Sequence, residues 1–179
     1  IGQPDFFTNL PNVEGVGSAP TASSLYWPYG VYSNGKHLWI ADTGNRRILF
    51  YENIPKTNFA KATQVIGQTD FTNRDYDATN AVWPYSVKIS EKGSMLVADT
   101  QQFRILVWHC WQDAFSKKAD VIIGQPNFES NGQNQFRLLP NAHSLSWCYD
   151  GCFMNNKLLV ADTGNSRILI WNELPSASN

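Results

Sequence analysis

The sequence predicts an all-β fold made of three repeated four-stranded units, and three observations carry that reading. One phrase is written three times: ADTGNRRILFYENIP from Ala41, ADTQQFRILVWHCWQ from Ala98 and ADTGNSRILIWNELP from Ala161. A second anchor, IGQ, starts at Ile1, Ile66 and Ile123. Short β-branched and aromatic runs such as KHLWIAD, RILFYE and ATQVIG alternate with polar or glycine-bearing turns, a pattern of strands rather than helices.

The spacing of the anchors divides each unit in two. Ala41 to Ile66 and Ala98 to Ile123 are both steps of 25 residues, so one half is fixed in length. From each IGQ to the next ADT the steps are 40, 32 and 38 residues, so the other half holds a loop that varies. A third anchor precedes ADT: YWPYGVY, VWPYSVK and SWCYDGC align Trp27, Trp83 and Trp147. The units then run about 1–65, 66–122 and 123–179, a period that suits a propeller blade.

Each element follows in order. The first strand follows Trp-Pro-Tyr, the second ends in ADT, the third starts at RIL and the fourth ends in IGQ. Antiparallel order puts the ADTGN turn and the IGQPDF exit on one rim. In RILFY, Ile48 and Phe50 face one side and Leu49 and Tyr51 the other, so both faces are apolar and both must be covered. Parallel α/β sheets are also covered twice, but no helical periodicity separates these strands. Blades packed face to face remain, and the fold expected is a β-propeller with three four-stranded blades in this chain.

Composition narrows the function. With 14 basic against 15 acidic residues and no block of like charge, a nucleic-acid partner is not expected. The chain of 179 residues can bury a sizeable core, and its 24 aromatic residues (7 Trp, 7 Tyr, 10 Phe) serve that core first and a binding surface second. No apolar run reaches the roughly 18 residues of a membrane helix, so no membrane span is expected. No signal peptide is visible, and a chain that starts at Ile1 reads as processed, excised or incomplete.

With Pro28-Tyr29-Gly30-Val31, Ile40-Ala41-Asp42-Thr43 and Asn45-Arg46-Arg47-Ile48, the unit resembles an NHL repeat. The second copy departs at Gln101, Gln102 and Phe103, and the third at Cys148 and Asp150. The resemblance implies a six-bladed propeller of which three units are half. The other half would come from the same chain, from a homodimer or from another subunit. The linkers resemble those of long-blade bacterial NHL proteins, which implies an extracellular or periplasmic place. NHL-like amidating lyases hold a channel metal with His, but none of His37, His109 and His143 falls on a first strand, so no metal ligand is carried over. No cofactor is predicted from this half; a channel metal would need ligands from the other.

Three constellations are candidates for structure or function. Asp42 and Arg47, Asp99 and Arg104, and Asp162 and Arg167 share the spacing Asp-x4-Arg, and recurrence in every blade argues for structural turn pairs rather than catalysis. In the linkers, Gln3, Asp5, Gln68, Asp70, Gln125 and Asn127 read as blade junctions, with Phe plugging the next blade. Calcium at Asp5 and Asp70 lacks the six or more oxygens that ion takes. Tyr29, Tyr85 and Tyr149 start the three channel-lining strands and are the candidate ligand-binding arc at the channel mouth; the competing reading packs them against the Trp residues.

Of the three cysteines, Cys148 and Cys152 lie roughly 13 Å apart along one strand, too far to bond. Either Cys110 and Cys152 bridge neighbouring blades, or all three thiols are reduced. No acid–base pair, nucleophile–base pair or metal cluster stands out. The function expected is therefore a non-catalytic binding or scaffold propeller for a protein, peptide or small ligand. The alternatives are half of a metal-dependent lyase- or lactonase-like enzyme and an RNA-binding NHL domain.

Overall fold

The computed structural model describes residues 1–178. Three antiparallel sheets follow one another along the chain. The first is β1 (Pro28–Ser33), β2 (Leu38–Asp42), β3 (Arg47–Tyr51) and β4 (Gln64–Ile66). The second is β5 (Pro84–Ile89), β6 (Met95–Asp99), β7 (Arg104–Trp108) and β8 (Val121–Ile123). The third is β9 (Cys148–Met154), β10 (Lys157–Asp162) and β11 (Arg167–Trp171). Within each sheet the strands are neighbours in chain order, which is how a propeller blade is wound. The fold is all-β and propeller-like, with the inner strands β1, β5 and β9 adjacent and the ring not closed.

The third sheet has three strands among the described residues, because no IGQ strand follows β11 as β4 follows β3. Residues past Trp171 turn back instead: Leu174 packs on the core shared with the second sheet, and Ser178 Oγ accepts a hydrogen bond from Ile122 N at 2.9 Å.

The core lies between sheets, as the two-faced apolar strands require. Trp39, Ile48 and Phe50 of the first sheet pack on Val87, Met95, Val97, Leu106 and Trp108 of the second. Leu96, Ala98, Ile105 and Val107 of the second pack on Leu158 and Val160 of the third. Trp39 and Trp108 are the largest of these side chains, and the Trp39 ring meets Phe50 at 5.3 Å and Trp111 at 5.2 Å.

The three Asp-x4-Arg pairs form as ion pairs across the turn. Arg47, Arg104 and Arg167 each donate Nε to the Asp42, Asp99 or Asp162 carboxylate at 2.7–2.8 Å. The other carboxylate oxygen accepts from the backbone of Tyr26, Trp83 or Ser146. The linkers are junctions too. Asp5, Asp70 and Asn127 each accept from two backbone amides two and three residues on, which makes them turn-formers. Phe71 and Phe128 do not plug the next blade. Phe71 packs on the cluster of the first sheet alone, and Phe128 lies over Arg104, so each phenyl stays on the blade the chain is leaving.

Candidate functional site

A backbone irregularity recurs at the start of every inner strand. Pro28 lies opposite Asp42 and Gly30 opposite Ala41, leaving Tyr29 unpaired between them. Pro84 and Ser86 flank Tyr85 against Asp99 and Ala98 in the same way, and Cys148 and Asp150 flank Tyr149 against Asp162 and Ala161. An extra residue of this kind bends the strand and re-aims its side chain. Here it turns one tyrosine per blade onto the rim that carries the ADT turns. Gly30 lets the inner strands approach, since a Cβ there would sit 2.5 Å from Tyr85 O.

The three tyrosines meet. The rings of Tyr29 and Tyr85 are 4.2 Å apart between centroids, and Tyr85 and Tyr149 are 5.5 Å apart. Trp147 extends the row, stacked on Tyr149 at 6.3 Å. Tyr29 and Tyr149 are exposed and Tyr85 is half-buried. Gln101 Nε2 donates to Tyr85 Oη at 3.0 Å, fixing the middle ring. The charge of a Tyr85 phenolate would hold the Tyr29 hydroxyl above the ordinary phenol range, with burial adding to the effect. The arc is an aromatic face edged with hydroxyls. Below it, Ser86 donates to the Asp150 carboxylate and Lys88 Nζ lies 3.4 Å from the same oxygen. That polar cluster was not legible in the sequence, because its members sit on two different blades.

The departures of the second copy also have a structural reason. In the outer copies Asn12 and Asn45 exchange side-chain hydrogen bonds at 3.0 and 2.8 Å, and Asn134 and Asn165 do so at 2.9 Å each way. These clasps tie the long loop to the turn. The second copy has the shortest loop, and Gln102 stands where Asn45 and Asn165 stand. Phe103 takes the left-handed position held by Arg46 and Ser166 and meets Trp147 edge-on at 5.4 Å, while Arg46 lies over Trp83 at 5.0 Å.

The cysteines are free thiols, and no Cys110–Cys152 bridge is present. Cys152 is on the inner strand β9, whereas Cys110 follows β7, two strands out in the neighbouring sheet. Strand and sheet spacings of ~5 and ~10 Å put such positions beyond bonding range. Cys110 donates to Gln112 Oε1 at 3.0 Å. Cys148 fills the place of Pro28 and Pro84, and burial pushes its thiol far up. Under native conditions a thiol reagent is expected to modify Cys110 and Cys152 within minutes and Cys148 only after denaturation; mass spectrometry of the intact chain counts the adducts, and three rapid additions would contradict the packing. The histidines are dispersed: His37 sits against Trp39, Phe50 and Trp111, and His109 lies 3.6 Å from Asp120. Among the described residues no three His, Cys, Asp or Glu side chains gather as metal ligands, and no helix is long and apolar enough to cross a membrane.

No model of a known protein family matches the sequence, and no curated protein matches it significantly. Among solved structures the chain is similar to the selenomethionine-substituted virginiamycin B lyase from Staphylococcus aureus, with a TM-score of 0.42 and 16% identity. The match covers 84% of this chain and 42% of that one, so this chain spans less than half the length of the protein it matches.

Proposed function

We propose that the chain is a non-catalytic binding module, an NHL-like propeller segment whose Tyr29–Tyr85–Tyr149 arc receives a small ring-bearing ligand at the channel mouth. One observation carries the reading. The same backbone bulge in all three blades turns the three rings into one continuous, partly exposed face. Aromatic faces bind planar or sugar-like rings by stacking, and their hydroxyls add directional bonds. Ser86, Lys88 and Asp150 offer donors and an acceptor to a polar edge of the same ligand. Further blades would complete the ring around the arc, and the linker likeness favours a place outside the cytoplasm.

The test is ligand-observed NMR against a panel of oligosaccharides, aromatic dipeptides and planar heterocycles. Binders are expected in one class, with Tyr85→Ala weakening the best of them at least tenfold and Tyr76→Ala leaving it unchanged. Binding indifferent to Tyr29→Ala and Tyr85→Ala would remove the arc as the site.

A further inference from the structure

We infer that the ring received by the tyrosine arc is a cation: a planar ring with a fixed positive charge, held between the faces of Tyr85 and Tyr149 and the carboxylate of Asp150. The inference rests on the binding role proposed for the arc and names the class of ring that the arc selects.

An aromatic ring carries negative charge on its faces, so a cation seated within about 6 Å of the ring centre is attracted to it. Tyr85 and Tyr149 stand at 71° to one another with centroids 5.5 Å apart, which leaves a corner rather than a closed stack. A cation in that corner meets both rings. Trp147 extends one wall, its ring only 17° from the plane of Tyr149. Tyr149 is 42% exposed and Trp147 37%, so the corner is open to a ligand. The same rim already holds one cation in this way, because the Arg46 guanidinium lies over the Trp83 ring at 5.0 Å from its centre.

The charge beside the corner has the matching sign. Asp150 follows Tyr149 in the chain and lies opposite Ala161, the place held by Gly30 and Ser86 opposite Ala41 and Ala98. The third copy thus puts an acid where the first two have small, uncharged residues. Asp150 Oδ1 accepts from Ser86 Oγ and lies 3.4 Å from Lys88 Nζ, while Oδ2 takes no donor among the described residues. Lys88 is rooted two residues further along β5 than Ser86, away from the tyrosine rim, whereas Asp150 is level with Ser86. The Asp150 side chain is 56% exposed against 28% for Lys88, so the carboxylate is the charge a ligand meets first. An anionic ring would face both the negative ring faces and this carboxylate, and Lys88 is already engaged by the acid it would have to leave.

The test is a charge series on one ring. At neutral pH 1-methylnicotinamide is a cation, nicotinamide is uncharged and nicotinate is an anion, on closely similar planar frames. Titrated by NMR into the unaltered chain, they are expected to bind in that order. The cation should bind about fivefold or more tighter than nicotinamide, the factor that one cation–ring contact supplies. Asp150→Asn should remove most of that preference and leave the nicotinamide affinity as it was. Lys88→Met should keep the preference or enlarge it, which a purely structural role for the cluster would not produce. Equal binding of 1-methylnicotinamide and nicotinamide would overturn the inference and leave the arc as a site for uncharged rings. Tighter binding of nicotinate, abolished by Lys88→Met, would overturn it in favour of an anionic ring. Binding of the cation that is indifferent to Tyr85→Ala and Tyr149→Ala would overturn it by placing the ligand elsewhere. The oligosaccharides and dipeptides of the wider panel report on the arc separately, so the charge preference can fail while ring binding stands.

Discussion

Replacing Arg104 with Met is expected to cost about 3–5 kcal/mol of stability, the loss that follows when one partner of a buried ion pair is removed. For a chain of this size that is a fall of roughly 6–20 °C in melting temperature. The guanidinium is fully buried and donates to the Asp99 carboxylate and to the carbonyls of Phe128, Ala78 and Asn80. Met fills part of the volume and satisfies none of these acceptors, and Asp99 is left without its counter-charge inside the second blade. Arg167→Met is the built-in comparison, because its side chain is partly exposed and makes fewer bonds; it should cost less than half as much. Equal losses in the two variants would show that the pair is not what holds the turn.

The loss should also depend on pH in a definite sense. Burial already pushes the Asp99 carboxyl above its ordinary 3.8, against the pull of Arg104. Without Arg104 the folded chain holds that proton more tightly still, while the unfolded chain does not. Arg104→Met should therefore be least destabilising near and below pH 3.8, and the deficit should grow as pH rises through the shifted value of the folded state. Denaturant titrations at pH 4 and pH 8 measure this, and a deficit that shrinks with rising pH would refute it. Asp99→Leu with Arg104→Met, which removes both charges, should regain part of the loss.

Much of this was legible in the sequence, for reasons that are local. Strands show themselves through period-2 apolar runs, and the ADT and IGQ anchors fix where each blade starts and ends. The tyrosine arc was legible as three equivalent positions, but the bulge that aims the rings was not, because a bulge depends on which residues oppose each other across two strands. The Asn12–Asn45 and Asn134–Asn165 clasps join residues 33 and 31 apart and were invisible for the same reason. The linker phenylalanines were read the wrong way round. Sequence order suggests that a plug serves the next blade, whereas Arg47 and Arg104, which hold the Phe71 and Phe128 carbonyls, belong to the blade before.

The altered spelling of the second copy yields the other large prediction. In the outer copies the turn glycines donate their N–H to Tyr26 O and Ser146 O at 2.8 Å, and the next residues, Trp27 and Trp147, take left-handed backbone with φ +49° and +48°. A Cβ on Gly44 would lie 2.6 Å from Tyr26 O and from the Tyr26 ring, so nothing larger than hydrogen fits without moving backbone. In the second copy the bond shifts by one residue: Thr100 N donates to Trp83 O at 3.2 Å, and Trp83 is not left-handed. That shift makes room for the side chain of Gln101, which is then free to reach Tyr85. Glycine is therefore obligatory in the first turn and dispensable in the second. Gly44→Ala should cost about 2 kcal/mol, in the range of overpacked sites, whereas Gln101→Gly should change stability by about 1 kcal/mol or less. The second substitution also removes the hydrogen bond on the middle tyrosine, so it should loosen the arc while sparing the fold. Equal losses in the two variants would mean that the copies differ by drift alone. A stable Gln101→Gly with weakened ring binding would tie the divergent turn to the site it overlooks.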